Sequence, residues 1–223
     1  MKPSDPATSQ ANPGVHLFVD FSNLWYGARD EAVRRREPRH LLRISAEGLF
    51  RVMAAGRPVA SATLVANAAV PDGALDHFSR YFRVDKVEVG RWSGTEQAAD
   101  ETLMNRLLLM ALRPATVGTI VLATGDGAGW RAGLGFCPAL VVARRRGLGI
   151  EVLAFESSLN SSLRRLAEAT GVVVDLERHY QSITFLEAGR PVVSPQPRAT
   201  SAAHAWSAGE QRAIWALTVR SAA

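Results

Sequence analysis

Val15-His16-Leu17-Phe18-Val19-Asp20-Phe21-Ser22-Asn23-Leu24-Trp25-Tyr26 is the stretch on which the reading of this chain turns. Its first six residues form a short apolar run closed by a carboxylate, the pattern of a buried strand. His16 alternates within that run and reads as structural. Leu24, Trp25 and Ala28 then recur at helical spacing, with Ser22 placed to cap. The pattern runs into Arg34, Arg35 and Arg36 before Pro38 stops it. A buried strand passing directly into a helix is the first half of a β–α unit.

The rest of the chain repeats that unit. Ser45 can cap a helix through Met53, closed by Gly56 and Pro58, and residues 59–66 (VASATLVA) read as a strand. Pro71 and Asp72 open a helix covering Leu75, Phe78 and Phe82, followed by an alternating strand at 84–89. A turn at 90–94 leads into a long helix over 95–112, and 117–123 (VGTIVLA) is apolar enough to be covered on both faces. Residues 140–143 and 150–155 read as strands joined by a basic turn, Arg144-Arg145-Arg146. Ser158 opens a helix through Glu168, and VVVD at 172–175 is a last strand. Repeated alternation with short connections predicts an α/β fold, an open, mostly parallel sheet flanked by helices on both faces. Residues 177–186 are legible neither as helix nor as loop. The expected organisation is a polar lead at 1–14, a domain at 15–188, a Pro- and Ser-rich linker at 189–205, and a tail at 206–223. A short helix in that tail, with Trp206, Ile214, Trp215 and Leu217, is a candidate for docking a second copy or a protein partner.

Composition narrows the class. Hydrophobic residues make up 47% of the 223, enough for one sizeable core. The first residues lack the apolar run of a secretory signal, and no later run suits a membrane span. The single cysteine, Cys137, excludes an internal disulfide framework and suits a reducing, cytoplasmic setting; it reads as a small buried hydrophobe. The formal net charge is +5, and Lys2 and Lys86 are the only lysines among 26 basic residues. Arginine-rich basicity favours phosphate-bearing partners, although it also follows from composition alone.

Ligands of open parallel sheets collect outside the carboxyl ends of the strands. Asp20 closes the first strand and Asp126 follows the central one, so both fall on that rim. Asp100 lies one turn into the helix that begins there. Each alone has an ordinary reading: Asp20 as a cap or turn residue, Asp100 as an exposed helix residue, Asp126 as part of a Gly-Asp-Gly turn. Together they predict an acidic pocket in which mutual repulsion calls for a cation. Oxygen donors of this kind suit Mg²⁺ or Mn²⁺. Ser22 and Thr124 flank the carboxylates as candidate phosphate contacts. Trp92 and Trp130 are candidates for stacking on bases. Arg34, Arg35, Arg36, Arg39 and Arg43, and Arg144, Arg145 and Arg146, are candidate RNA contacts. The histidines are too scattered for a zinc set, and no Walker-type loop with lysine is present.

These same residues carry a resemblance. Residues 18–26, FVDFSNLWY, resemble the opening "VDxxNLxY" of NYN-domain proteins, PIN-like nucleases that include the LabA-like bacterial group. EQAADETL at 96–103 resembles their second motif, TGDGAG at 124–129 their third, usually "SGDGDF", and residues 157–175 their last helix and strand. The resemblance spans roughly residues 15–186. It implies a PIN-like sheet with strand order 3-2-1-4-5 and metal-dependent ribonuclease activity. Asp20, Asp100 and Asp126 match the metal carboxylates, and Asn23 matches the motif's asparagine, orienting a water, a phosphate or Asp20. Ala128 stands where the family usually has a further aspartate, and Gln97 where a lysine is common. Those departures keep a second reading in view, an RNA-binding or regulatory protein that retains the fold with little or no catalysis.

Overall fold

The computed structural model describes residues 13–87, 97–126 and 135–187. Six strands form one parallel sheet: β1 (Val15–Asp20), β3 (Val59–Asn67), β4 (Arg83–Val87), β5 (Thr119–Ala123), β6 (Gly149–Ala154) and β7 (Val172–Asp175). Their lateral order is β4-β3-β1-β5-β6-β7. Counted along the parallel sheet, this is 3-2-1-4-5 with a sixth strand added beside the fifth. The chain builds outward from β1 in one direction and then restarts beside β1 with β5. The order therefore reverses between β1 and β5, and a crevice opens beyond their carboxyl ends.

Alternation along the strands divides the core. Leu17, Val19, Val121, Ala123 and Leu153 pack on one face, with α1 (Phe21–Arg34), α2 (Ala46–Ala54), α3 (Asp72–Leu75) and α7 (Tyr180–Ile183). Phe18, Ile120, Leu122, Ile150 and Val152 face the other way, against α4 (Gln97–Ala111), α5 (Phe136–Arg145) and α6 (Ser161–Thr170). β1 is buried along its whole length because strands flank it and helices cover both faces. His16 has the structural place expected of it, its ring nitrogens lying 2.8 Å from Ser61 Oγ and 3.2 Å from the Val117 carbonyl oxygen.

Several local expectations are corrected. Residues 140–143 belong to α5, not to a strand. An apolar run of four does not distinguish the two by itself, but Phe136, Cys137, Ala139, Leu140 and Ala143 are buried at helical spacing. Pro138 falls in the first turn, where its missing N–H costs nothing. Arg144, Arg145 and Arg146 are consequently the last turn and cap of α5, where positive charge suits the helix dipole. Helix α1 is capped by Asp20 rather than Ser22, and α6 by Asn160 rather than Ser158. The undecided stretch resolves into a 3₁₀ turn (Leu176–His179), α7 and β8 (Thr184–Leu186). β8 pairs antiparallel with β2 (Leu42–Ile44), a strand too short to be seen in the sequence pattern. The expected linker and tail lie outside the described residues.

Candidate active site

Asp20 occupies a junction that backbone geometry alone explains. It is the last residue of the central strand and the N-cap of α1, and its Oδ1 accepts the Asn23 N–H at 3.1 Å. The capping role and the rim position are therefore the same fact, since a strand that turns at once into a helix needs an acceptor there. Its other oxygen, Oδ2, accepts the Thr124 hydroxyl at 3.0 Å. Thr124 follows the neighbouring strand β5 and is itself buried. The Thr124 oxygen also accepts the Asp126 N–H at 3.2 Å. Asn23 adds a second bridge, its Oδ1 accepting the Gly125 N–H at 2.7 Å.

These contacts frame a cleft of about 100 Å³ lined by Asp20, Ser22, Asn23, Tyr26, Ala99, Asp100 and Asp126. Three separate segments deliver the acids: the end of β1, the first turn of α4, and the loop after β5. Asp20 is 5% exposed, and burial pushes its pKa above the ordinary carboxylate value. The Asn23 amide and the Thr124 hydroxyl pull it back down, while the nearby charge of Asp126 pushes it up again. The positive ends of the α1 and α4 dipoles both lie at the cleft and offset part of that repulsion.

The donors are hard oxygens, the chemistry that Mg²⁺ and Mn²⁺ prefer. Among the described residues no three His, Cys, Asp or Glu side chains form a ready-made cage for a metal ion. Mg²⁺, however, usually keeps several waters and takes only one or two protein carboxylates. Asp20 and Asp126, whose charge is felt at Asp20, fit that smaller demand, with Asp100 lining the same cleft.

The other expected contacts lie elsewhere. Arg34 and Arg35 are at the far end of α1, about 20 Å from Asp20 along a helix of this length. Arg35 donates to Glu31 at 2.7 Å and to the Glu177 carbonyl at 3.1 Å, and its guanidinium lies 4.5 Å from the centre of the Tyr180 ring. Arg34 pairs with Glu31 at 3.2 Å. Arg36 is exposed beyond the helix end, in the left-handed region at φ 59°. Arg43 is not a surface contact at all. It is buried on β2, where it donates to the Leu42 carbonyl at 2.7 Å and pairs with Glu187. Arg144, Arg145 and Arg146 are exposed but precede β6, at the amino edge of the sheet opposite the cleft. Trp92, Trp130 and Ala128 lie outside the described residues.

One cleft residue escaped the sequence reading. Tyr26 stands outside every candidate set drawn from the sequence, yet it lines the cleft, half-buried. Its signal was present: Ser22, Asn23 and Tyr26 are related by three and four positions, so they share a helix face. Trp25, one position on, is buried in the core as expected. Cys137 is a buried free thiol whose pKa burial raises, and Asp126 raises it further, so it has the character of an inert packing residue.

The fold has counterparts. A protein of unknown function from Vibrio parahaemolyticus has a crystal structure that superposes with a TM-score of 0.59 at 17% identity, covering 80% of this chain and 99% of that one. A likeness at that identity speaks to the fold alone. No curated protein matches the chain. The family model of the NYN domain matches residues 14–175, a span that holds β1 through β7 and every acid of the cleft. The chain belongs to the NYN domain family.

Proposed function

We propose that this protein is a metal-dependent ribonuclease, hydrolysing phosphodiester bonds of single-stranded or structured RNA at the cleft between Asp20, Asp100 and Asp126. The observation that carries the reading is the meeting of three carboxylates from three distant segments in one small cleft. Membership of the NYN family points independently to nuclease-type chemistry. Among the described residues no lysine or arginine lines the cleft, so a phosphodiester anion enters favourably only with a cation to balance the acids.

Asp20 and Asp126 would hold Mg²⁺ or Mn²⁺, with Asp100 as a further acidic group lining the cleft. When bound, such an ion polarises the scissile phosphodiester and activates the attacking water. The residues do the rest. Thr124 and the Asn23 amide keep Asp20 fixed and favour its ionised form. Ser22 presents a hydroxyl toward the phosphate, and Tyr26 offers a flat face for a neighbouring base. Trp92 and Trp130 are proposed as further residues that stack on bases. Arg36 and the Arg144–Arg146 cluster, with Arg34 and Arg35 at the end of α1, would hold distal phosphates of a longer strand. A reducing, cytoplasmic setting agrees with the lone thiol, and no helix among the described residues is long and apolar enough to cross a membrane.

The test is incubation of the purified full chain and its D20N and D126N variants with end-labelled single-stranded RNA, with Mn²⁺ and with chelator. Cleavage by wild type in Mn²⁺, lost in chelator and reduced at least about 100-fold in both variants, is the expected result. Equal cleavage by all three proteins would remove the cleft from the chemistry. RNA bound but left intact would favour the second reading, an RNA-binding or regulatory role, with which Ala128 in the third motif agrees.

A further inference from the structure

Gly125 is gripped from both sides. Its N–H donates to Asn23 Oδ1 at 2.7 Å, and its carbonyl accepts the Asn160 N–H at 2.8 Å. There is no slack around it, since a Cβ at this position would meet the Ser158 carbonyl oxygen at 2.3 Å. Asn160 is the N-cap of α6, with its side chain on the Ser162 N–H at 2.8 Å. The peptide that precedes Asp126 is thus tied to the start of α1 by one asparagine and to the start of α6 by another.

Asn23 reaches both acidic segments. Through its main chain it donates to Asp20 Oδ1, and through its side chain it accepts from the residue before Asp126. Thr124 makes a parallel tie between Asp20 Oδ2 and the Asp126 N–H. Two carboxylates close enough to feel each other's charge drift apart unless the backbone holds them, because each gains solvation and loses repulsion by separating. In the folded chain, part of that restraint passes through two side chains, Asn23 and Thr124.

We infer that Asn23 is a positioning residue. Its carbonyl oxygen locks Gly125, and so sets the separation of Asp20 and Asp126 that a divalent ion needs, instead of facing the ion or the substrate. This rests on the metal-site reading above and adds to it the identity of the group that preorganises the site. The role requires an acceptor at this position, not a donor. Asparagine and aspartate both supply one, and alanine supplies none.

The experiment uses the full chain as wild type, Asn23→Ala and Asn23→Asp, with two readouts that need no turnover. Amide hydrogen exchange at Gly125 reports the lock, and calorimetric titration with Mn²⁺ alone reports its consequence. N23A is expected to lose Gly125 protection and to bind Mn²⁺ about 10–100-fold more weakly, the usual cost of removing a group that orients a ligand. N23D is expected to keep Gly125 protected and to bind Mn²⁺ no more weakly than wild type. Wild-type Mn²⁺ affinity in N23A, or loss of Gly125 protection in N23D, would overturn the inference and leave the metal reading standing. No Mn²⁺ uptake by wild type would overturn both, and is told apart by appearing before any substitution. If N23A does not fold, the exchange measurement on N23D still decides.

Discussion

Asp20 shows how one side chain can be unfavourable for stability and suited to a site. Its carboxyl is buried, and burial raises its pKa more than the Asn23 and Thr124 hydrogen bonds lower it. A group with a raised folded-state pKa contributes stability below its unfolded value, about 3.9, and that contribution is lost as pH climbs through the folded value. Asp20→Asn removes the buried charge and keeps an equally good cap. In chelator at pH 7–8 the D20N chain is expected to melt higher than wild type, at about 2–4 °C for each kcal/mol in a domain of this size. The gap should close below about pH 4, where both side chains are neutral. Melting curves across pH 4–8 check this, and a lower melting point for D20N at pH 8 would mean that hydrogen bonding outweighs burial. Asp20 itself was legible in the sequence as the carboxylate that closes an apolar run, and it took on a functional reading only in company with Asp100 and Asp126. Tyr26 was not, because an aromatic beside Trp25 packs or faces a cleft according to a rotation of one residue about the helix axis.

At the scale of elements, the packing of α2 on α7 locks the outer layer over the face of the sheet that carries α1. Ser45 caps α2 by accepting the Gly48 N–H at 3.0 Å, and its own N–H donates to the Ile183 carbonyl at 2.8 Å. Gly48 then faces the Ser182 backbone so closely that a Cβ would lie 1.9 Å from that carbonyl oxygen. Neither partner is a side chain that can swing away. Gly48→Ala is therefore expected to cost about 1–3 kcal/mol, the range for overpacking against a fixed neighbour, read as a lower urea midpoint with an unchanged slope. A midpoint within error of wild type would show that α7 can slide. The α5 correction belongs to the same scale. LVVA has strand propensity, and it was the burial of Phe136 and Cys137 one turn earlier that made it helical. Propensity over four residues yields to the longer apolar stripe.

For the whole molecule, the last described residues make a return contact. The chain leaves the large sheet at β7, turns back through α7, and pairs β8 with β2. Buried Arg43 and half-buried Glu187 then close that small sheet with an ion pair. A chain ending at Glu187 is expected to melt within a few degrees of the full chain and to retain any Mn²⁺-dependent cleavage. A chain ending at Ile183 loses β8 and the Arg43–Glu187 ion pair and is expected to melt lower than the full chain. Thermal melts of the two truncations separate these outcomes, and equal melting would mean that the return contact adds no stability. At this scale the basic charge also matters. RNA retention by a chain of net charge +5 should fall steeply between 50 and 200 mM salt, measured by filter binding in chelator.

By itself the sequence determined the alternation of strands and helices, the class of the sheet, and which acids stand at its rim. Those features rest on local periodicity and on where apolar runs stop, and the order of motifs carried the family. Only the tertiary structure decided which distant segments meet. It placed Asp100 in the same cleft as Asp20, put Tyr26 on the cleft wall and Arg43 in the core, and sent Arg144–Arg146 to the opposite edge. Strand order and helix direction set those distances, and both depend on how the whole apolar surface is buried at once, which no window of neighbouring residues contains.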